Sequence, residues 1–464
     1  DKDRAGSAAR TNPLHQSAGD TLKINFENLL EDKGLGYVHN QYSAADETNL
    51  HFHGLHVSGE LPSDDVTHVV GPGESYDYMT TLPDSHLPGT HWMHPHRHGS
   101  SALQVGAGAA SAIIVEDPEG FLPAQVANAT EVIFLAQYFN VDRLNQIKAT
   151  SANDQLADIR NAPANEFTLV NGVLKPTITA NPGEWTRFRI IWSQWHKGNL
   201  NFAANGCEMQ LLAKDGIYIR DYPRSIDSAP IVPGGRADIM VRCSDPSTIY
   251  SITGRGGTLA TITTTTTMVE SSDLEAWEPP YPAYLSDLRG SAVSPGCSCE
   301  TAFDKNKVNG IAFDYGLTLH ASYLGAVVER VMGGEAGKHP YHQHVYPFQL
   351  TTGYNGYNQI GDWHDVIMGY GTIRYSPTEF SGKVMIHCHR LHHEDRGMMA
   401  IEQVGEEGGA CTCTAAPGLG LGASIGIAGG AVLLLAIVGY PGYCVYRRMH
   451  RVRAAAEAAE SNDL

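Results

Sequence analysis

The sequence predicts an all-β protein made of three successive blocks and followed by one membrane-spanning helix. Three observations predict it. Its 464 residues include Gly 49, Pro 24 and Tyr 21. Short β-branched runs such as ASAIIVED and RADIMVRC alternate with these turn formers, as short strands do. Helical periodicity is scarce until the C-terminal region. There, Gly408–Tyr446 carries no Asp, Glu, Lys or Arg, and Leu419–Tyr440 is an apolar run of 22 residues, long enough to cross a bilayer.

The first block, residues 1–122, closes on AIIVEDPEG near Gly120. The second, 128–250, runs from TEVIFLAQYF through FTLVNGVLKPTITANPGEWTRFRII to VPGGRADIMVRC. The Thr- and Pro-rich stretch TITTTTTMVESSDLEAWEPPYP leads to the third, 300–407. At about 150 residues per domain the length fits two or three domains. The helix is expected over 418–446 and a cytoplasmic tail over 447–464, because Arg447, Arg448, Arg451 and Arg453 follow the apolar run at once. The blocks then lie outside the cell or in a lumen. A buried core helix is the competing reading. Gly418, Gly422, Gly426 and Gly430 share one helical stripe, either a packing face or a glycine-rich entry to the membrane. No leader is visible and the chain does not start with Met, so a processed chain or a fragment is expected.

The formal charge of −18 excludes nucleic acid as a partner, which needs a basic face. Eight cysteines suit an oxidising compartment. Without Cys388 and Cys444, six remain (Cys207, Cys243, Cys297, Cys299, Cys411 and Cys413), enough for three bridges of unspecified pairing. The two Cys-x-Cys pairs also have the spacing to bind Cu(I), with disulfides the expected use. Asn128 in NAT fits a glycosylation acceptor.

Chemistry is concentrated in the histidines. Five His-x-His pairs occur: His51/His53, His94/His96, His96/His98, His342/His344 and His387/His389. Random placement of the 22 histidines would give roughly one. All lie in the outer blocks, which points to a site shared between them. Residues two apart on a strand share a face, so each pair presents two imidazoles to one place. Imidazole suits copper, zinc, iron and nickel; thiolate and thioether shift the choice to copper. In the HCH of MIHCHRLHHEDRGMM, the pleat sends His387 and His389 to one face and Cys388 to the other. His339, three before His342, points with Cys388 if its segment is extended. Cys388, His393 and Met398 follow C-x4-H-x4-M, and with His339 they make the two-His, one-Cys, axial-Met set of blue copper sites.

These stretches resemble the multicopper oxidases, the laccase and metallo-oxidase group. The resemblance rests on LHFHGLHVSG, GTHWMHPHRHGSSALQVGAGAASAIIVED, KHPYHQHVYPFQL and GKVMIHCHRLHHEDRGMM, with FTLVNGVLKPTITANPGEWTRFRI and IVPGGRADIMV in the middle. It covers about residues 20–405. It implies three cupredoxin-like Greek-key β-sandwiches and four coppers: one type 1, one type 2 and two type 3. Carried over by position, His51 and His342 hold the type 2 copper. His53, His94, His96, His344, His387 and His389 hold the type 3 pair. His339, Cys388, His393 and Met398 form the type 1 site. His98, His392 and Met399 read as neighbours, and His56, His68, His86 and His91 as surface or hydrogen-bonding residues.

The implied reaction couples one-electron oxidation of a phenol, aromatic amine or similar small reductant to reduction of O2 to water. Glu394 and Asp64 are candidate proton donors, with Asp65 an equally placed competitor. The rival is a ferroxidase or other metallo-oxidase (Fe(II), Cu(I) or Mn(II)) serving a membrane iron permease, favoured by the anchor and the acidic charge. A non-catalytic copper-binding surface protein is a remote third. Two positions depart from the family pattern. Val345 stands where many members carry Gly, and His392 where Glu is frequent. NPLHQSAGDTLKINFENLL resembles a second strand, so the opening strand of the first domain is expected to be missing.

Overall fold

Each block folds as a pair of sheets. The computed structural model describes residues 13–142, 166–354 and 356–414. In the first block Leu14–Gln16, Ser111–Val115, Gly89–His94 and His51–His53 form one sheet, and Thr21–Glu27 pairs Ser75–Thr81 in the other. The middle block has a seven-stranded and a four-stranded sheet, and the third block two sheets of six. Parallel pairs recur within otherwise antiparallel sheets: Leu14–Gln16 with Ser111–Val115, Thr130–Asn140 with Trp185–Ser193, and Thr318–Tyr323 with Met399–Gly405. Such pairs need crossovers rather than hairpins, which agrees with the expected Greek-key sandwiches.

Sequence pattern explains the placement of strands. Thr21–Glu27 alternates exposed with more buried positions, as a strand with one wet face does. Trp185–Ser193 is buried at all nine positions. Phe188, Ile190 and Trp192 enter the middle core, each worth about 1.5–3 kcal/mol of burial. On the same strand Arg187 and Arg189 are buried against Asp238, Asp117 and Glu131, and Thr90 of the first block donates to Asp238 at 2.6 Å. A buried ionic layer thus joins the first two blocks, and deleting one partner of such a pair costs about 3–5 kcal/mol.

Three disulfides form, Cys207–Cys243, Cys297–Cys411 and Cys299–Cys413, and Cys388 is free and buried. The last two bridges each span 114 residues and tie the start of the third block to its end. The expected membrane helix, glycine stripe and tail lie outside the described residues. Among those described, no helix is long and apolar enough to cross a membrane.

Candidate metal centre

Strand register builds the site. His51 lies opposite His94, and His342 opposite His387, in antiparallel pairs. His53 stands two residues from His51 on the same strand, and His96, His344 and His389 follow just beyond the ends of Gly89–His94, Tyr341–Gln343 and Gly382–Cys388, so eight imidazoles gather between the outer blocks. All eight are at most 3% exposed. His51 stacks on His344 at 3.8 Å and His53 on His342 at 3.9 Å, centroid to centroid. The Nε2 atoms of His96 and His344 each lie 3.1 Å from Nε2 of His387.

The outward nitrogens are committed. Nδ1 of His51 donates to the Asp64 carboxylate at 2.9 Å, and Nδ1 of His342 to the Asp365 carbonyl at 2.7 Å. Nδ1 of His94 donates to the Pro95 carbonyl at 2.9 Å. Several other ring nitrogens have no hydrogen-bond partner: Nε2 of His51, His94 and His342, Nδ1 of His53 and His96, and both nitrogens of His389. Burial pushes the pKa of every one of the eight rings down, and neighbouring rings push most of them further. Neutral, unpartnered, converging imidazoles are costly as they stand and are the donor set copper takes. The residues fit the metal.

The other face of the HCH segment holds a second group. Sγ of Cys388 lies 3.4 Å from Nδ1 of His339 and 3.7 Å from Nδ1 of His393, and those two nitrogens are 3.1 Å apart. Met398 is fully buried, and its carbonyl accepts from the Cys388 N–H at 3.1 Å. The Arg390 N–H donates to Sγ at 3.4 Å. Burial pushes the thiol pKa up to about 12, so a cation is what would hold the thiolate there. Thus His387 faces one cluster and Cys388 the other, as the pleat predicts.

The acidic candidates separate. Asp64 reaches His51, and burial raises its pKa well above the carboxylate range. Asp65 turns away to Lys383 and Thr67. Glu394 is fully buried, 3.4 Å from His98 Nδ1 and 3.9 Å from His96 Nδ1, and burial raises its pKa to about 7. His98 bonds Glu394 and Asn40, and His392 donates to the Trp195 carbonyl and stacks on His196. His56, His86 and His91 are buried where the first block meets the others, and His56 and His86 hydrogen-bond there, the second of the two roles expected. His68 is half-buried against Tyr76.

Sequence reasoning missed several participants. Asp365 sits 3.2 Å from His53 Nε2 and pairs with Arg236 of the middle block. Asp395 accepts from the N–H groups of Gly99, Ser101 and Ala102, pinning the first block to the segment that carries His393. Gly234, at φ +83°, lies so close that a Cβ there would meet the His389 ring at 2.6 Å. Gly234, Arg236 and Asp395 lie within stretches that carry the resemblance, but neither spacing nor ligand chemistry singles them out, and Asp365 lies outside all of them.

Residues 12–120, 130–273 and 287–407 each match the multicopper oxidase family. The chain belongs to that family. A multicopper oxidase of Staphylococcus haemolyticus, mco, is 24% identical over 400 residues, covering 83% of this chain and 80% of that one. The iron transport multicopper oxidase FET3 of Kluyveromyces lactis is 23% identical, covering 84% and 70%. Among solved structures, a multi-copper oxidase from Pseudomonas thermotolerans matches with TM-score 0.67 at 22% identity, covering 85% and 92%. A Campylobacter jejuni multicopper oxidase described as a metallo-oxidase matches with TM-score 0.64 at 20%, covering 85% of each. This multicopper oxidase is therefore a cupredoxin-like copper oxidoreductase that uses O2 as acceptor. Its type 1, 2 and 3 coppers supply one-electron uptake from a reductant and four-electron reduction of O2 to water.

Proposed function

We propose that this enzyme is laccase-like, taking electrons from small phenols or aromatic amines. His339, Cys388, His393 and Met398 hold the type 1 copper, His51 and His342 the type 2, and His53, His94, His96, His344, His387 and His389 the type 3 pair. Cys388 carries electrons through its own backbone to His387 and His389. Asp64 orients His51, and Glu394 holds and releases a proton beside His96.

One observation carries the choice of reductant. His393, the half-buried ring of the entry group, has the flat ring of His392 beside it, 4.1 Å between centroids, a surrounding that favours a planar aromatic reductant over a hydrated dication. The His392–His196 stack, 4.4 Å between centroids, adds a flat aromatic neighbour to the same rim.

The ferroxidase reading keeps one observation of its own. The Glu335 carboxylate, 44% exposed, lies 3.5 Å from His339 Nε2, a place for Fe(II) with an iron permease as partner. Comparing kcat/KM for a phenol and for Fe(II), in the wild type and in Glu335→Ala, separates the two. The laccase reading expects the phenol value to change less than about twofold; negligible phenol oxidation, with Fe(II) oxidation lost in Glu335→Ala, would overturn it.

Location belongs to the proposal as well. The apolar run at 419–440 and the four arginines after it support a single-pass anchor, with the copper domains extracellular or lumenal and the tail cytoplasmic. Release of activity from membranes by protease rather than by salt is the expected outcome; release by salt alone would refute the anchor.

A further inference from the structure

A third group of soft ligands shares no residue with either histidine cluster. His320, on the strand Thr318–Tyr323, pairs in register with Cys413 on the edge strand Thr412–Cys413. A register shift between Thr318 and His320 interrupts the ladder to Met399–Gly405, and such irregularities re-aim side chains. His320 is fully buried, and neither ring nitrogen has a hydrogen-bond partner. One of its nitrogens and the sulfurs of Cys299 and Cys413 all lie within 4.8 Å of one another. Cys299 is buried and Cys413 exposed, so the group is open to solvent on one side.

An imidazole sealed against a disulfide is poorly used. Bridged sulfur is a weak acceptor, and a buried nitrogen without a partner costs stability. Burial first, and the Arg330 charge second, push the ring's pKa down to about 3, so it offers a neutral lone pair. Two thiolates and one imidazole are a favoured donor set for closed-shell soft or borderline ions.

We propose that Cys299, Cys413 and His320 form a second kind of metal site, for Cu(I) or Zn(II), available only when the Cys299–Cys413 bond is open. The bond opens by two-electron thiol exchange. Two small-molecule thiols, R–SH, form R–S–S–R while the protein disulfide becomes two thiols. Metal binding then releases the two thiol protons to solvent, and His320 contributes its lone pair. One cysteine of each Cys-x-Cys pair thus has two alternative states, bridged or metal-binding, while Cys297–Cys411 stays bridged.

The test uses the full, copper-loaded chain under argon and Cd(II) as a closed-shell probe. A water-soluble phosphine opens the bond, becoming the phosphine oxide. Iodoacetamide labelling, read peptide by peptide, follows each cysteine with and without Cd(II). The expected result is at least tenfold slower labelling of Cys299 and Cys413 when Cd(II) is present. In His320→Ala that protection should be lost. Equal labelling with and without Cd(II), a bond the phosphine does not open, or full protection retained in His320→Ala would each overturn the proposal. The unsubstituted chain carries the first two outcomes, so they stand even if His320→Ala does not fold.

Discussion

The two faces of the segment around Cys388 differ in how they are held. The oxygen-facing cluster draws its eight histidines from both outer blocks, and each ring is sealed from solvent. The electron-entry group takes His339, Cys388, His393 and Met398 from one block, and His393 remains only half-buried. On the function proposed above, one centre excludes water while it handles protons through chosen carboxylates, and the other is reached by a reductant. The comparison teaches that adjacent residues on one strand can serve opposite demands because the pleat separates their surroundings.

The largest expected effect removes the entry side alone. Cys388→Ser should abolish the blue absorption and lower kcat at least ~10³-fold, about 4 kcal/mol of barrier, while bound copper falls from four to three per chain. Copper analysis with optical and EPR spectra checks this, and a retained blue band would undo the two-face account.

A smaller effect belongs to the cluster side. Glu394, with its pKa raised to about 7, is protonated below that pH and loses its proton above it. If it donates that proton, kcat should fall as pH rises through about 7. Glu394→Gln should cost roughly 10²-fold in kcat and erase that limb of the profile. Electron uptake at the entry side, followed by anaerobic bleaching of the blue band, should be unchanged. A wild-type limb that survives in the Gln variant would remove Glu394 from the proton path.

The smallest effect concerns Val345, directly after His344. Its φ is +64°, a conformation β-branched residues rarely adopt. It is also buried, and its carbonyl accepts from His56 Nδ1 at 2.9 Å. Val345→Ala loses packing and keeps strain, whereas Val345→Gly loses packing and relieves it. The Gly variant should therefore be the more stable of the two by about 1 kcal/mol, reversing the usual order of Ala and Gly. Thermal unfolding of both variants measures it, and Ala more stable than Gly would rule out the strain.

What the sequence made legible was whatever strand periodicity encodes. His-x-His spacing and the alternation in HCH predicted which rings share a face, and the geometry follows it for four of the five pairs; His98 turns away from His96 to Glu394 and Asn40. The departure at Val345 was visible too, though only the backbone angle explains why Gly is common there. Contacts made across blocks were not legible. Asp64 and Asp65 are indistinguishable by position and differ because one faces His51 and the other Lys383. Asp365, Arg236 and Asp395 act through partners more than a hundred residues away along the chain. His56, His86 and His91 read as surface or hydrogen-bonding residues; His56 and His86 do hydrogen-bond, but nothing in sequence marks the domain interface that buries all three.

The pressing of Gly234 on His389, and of Arg236 on Asp365, bears on how the enzyme is assembled. Among the described residues the middle block adds no imidazole to the cluster, yet it closes one wall of a pocket whose histidines run from His51 to His389. No nascent chain can complete that pocket until almost the whole polypeptide has been made and three domains have docked. The entry site needs only the stretch from His339 to Met398 and one folded domain. Metal acquisition should therefore be ordered in time, the blue centre forming on a single domain and the oxygen centre last. Stopped-flow copper loading, in which blue colour precedes oxidase activity, is the observation that would register that order.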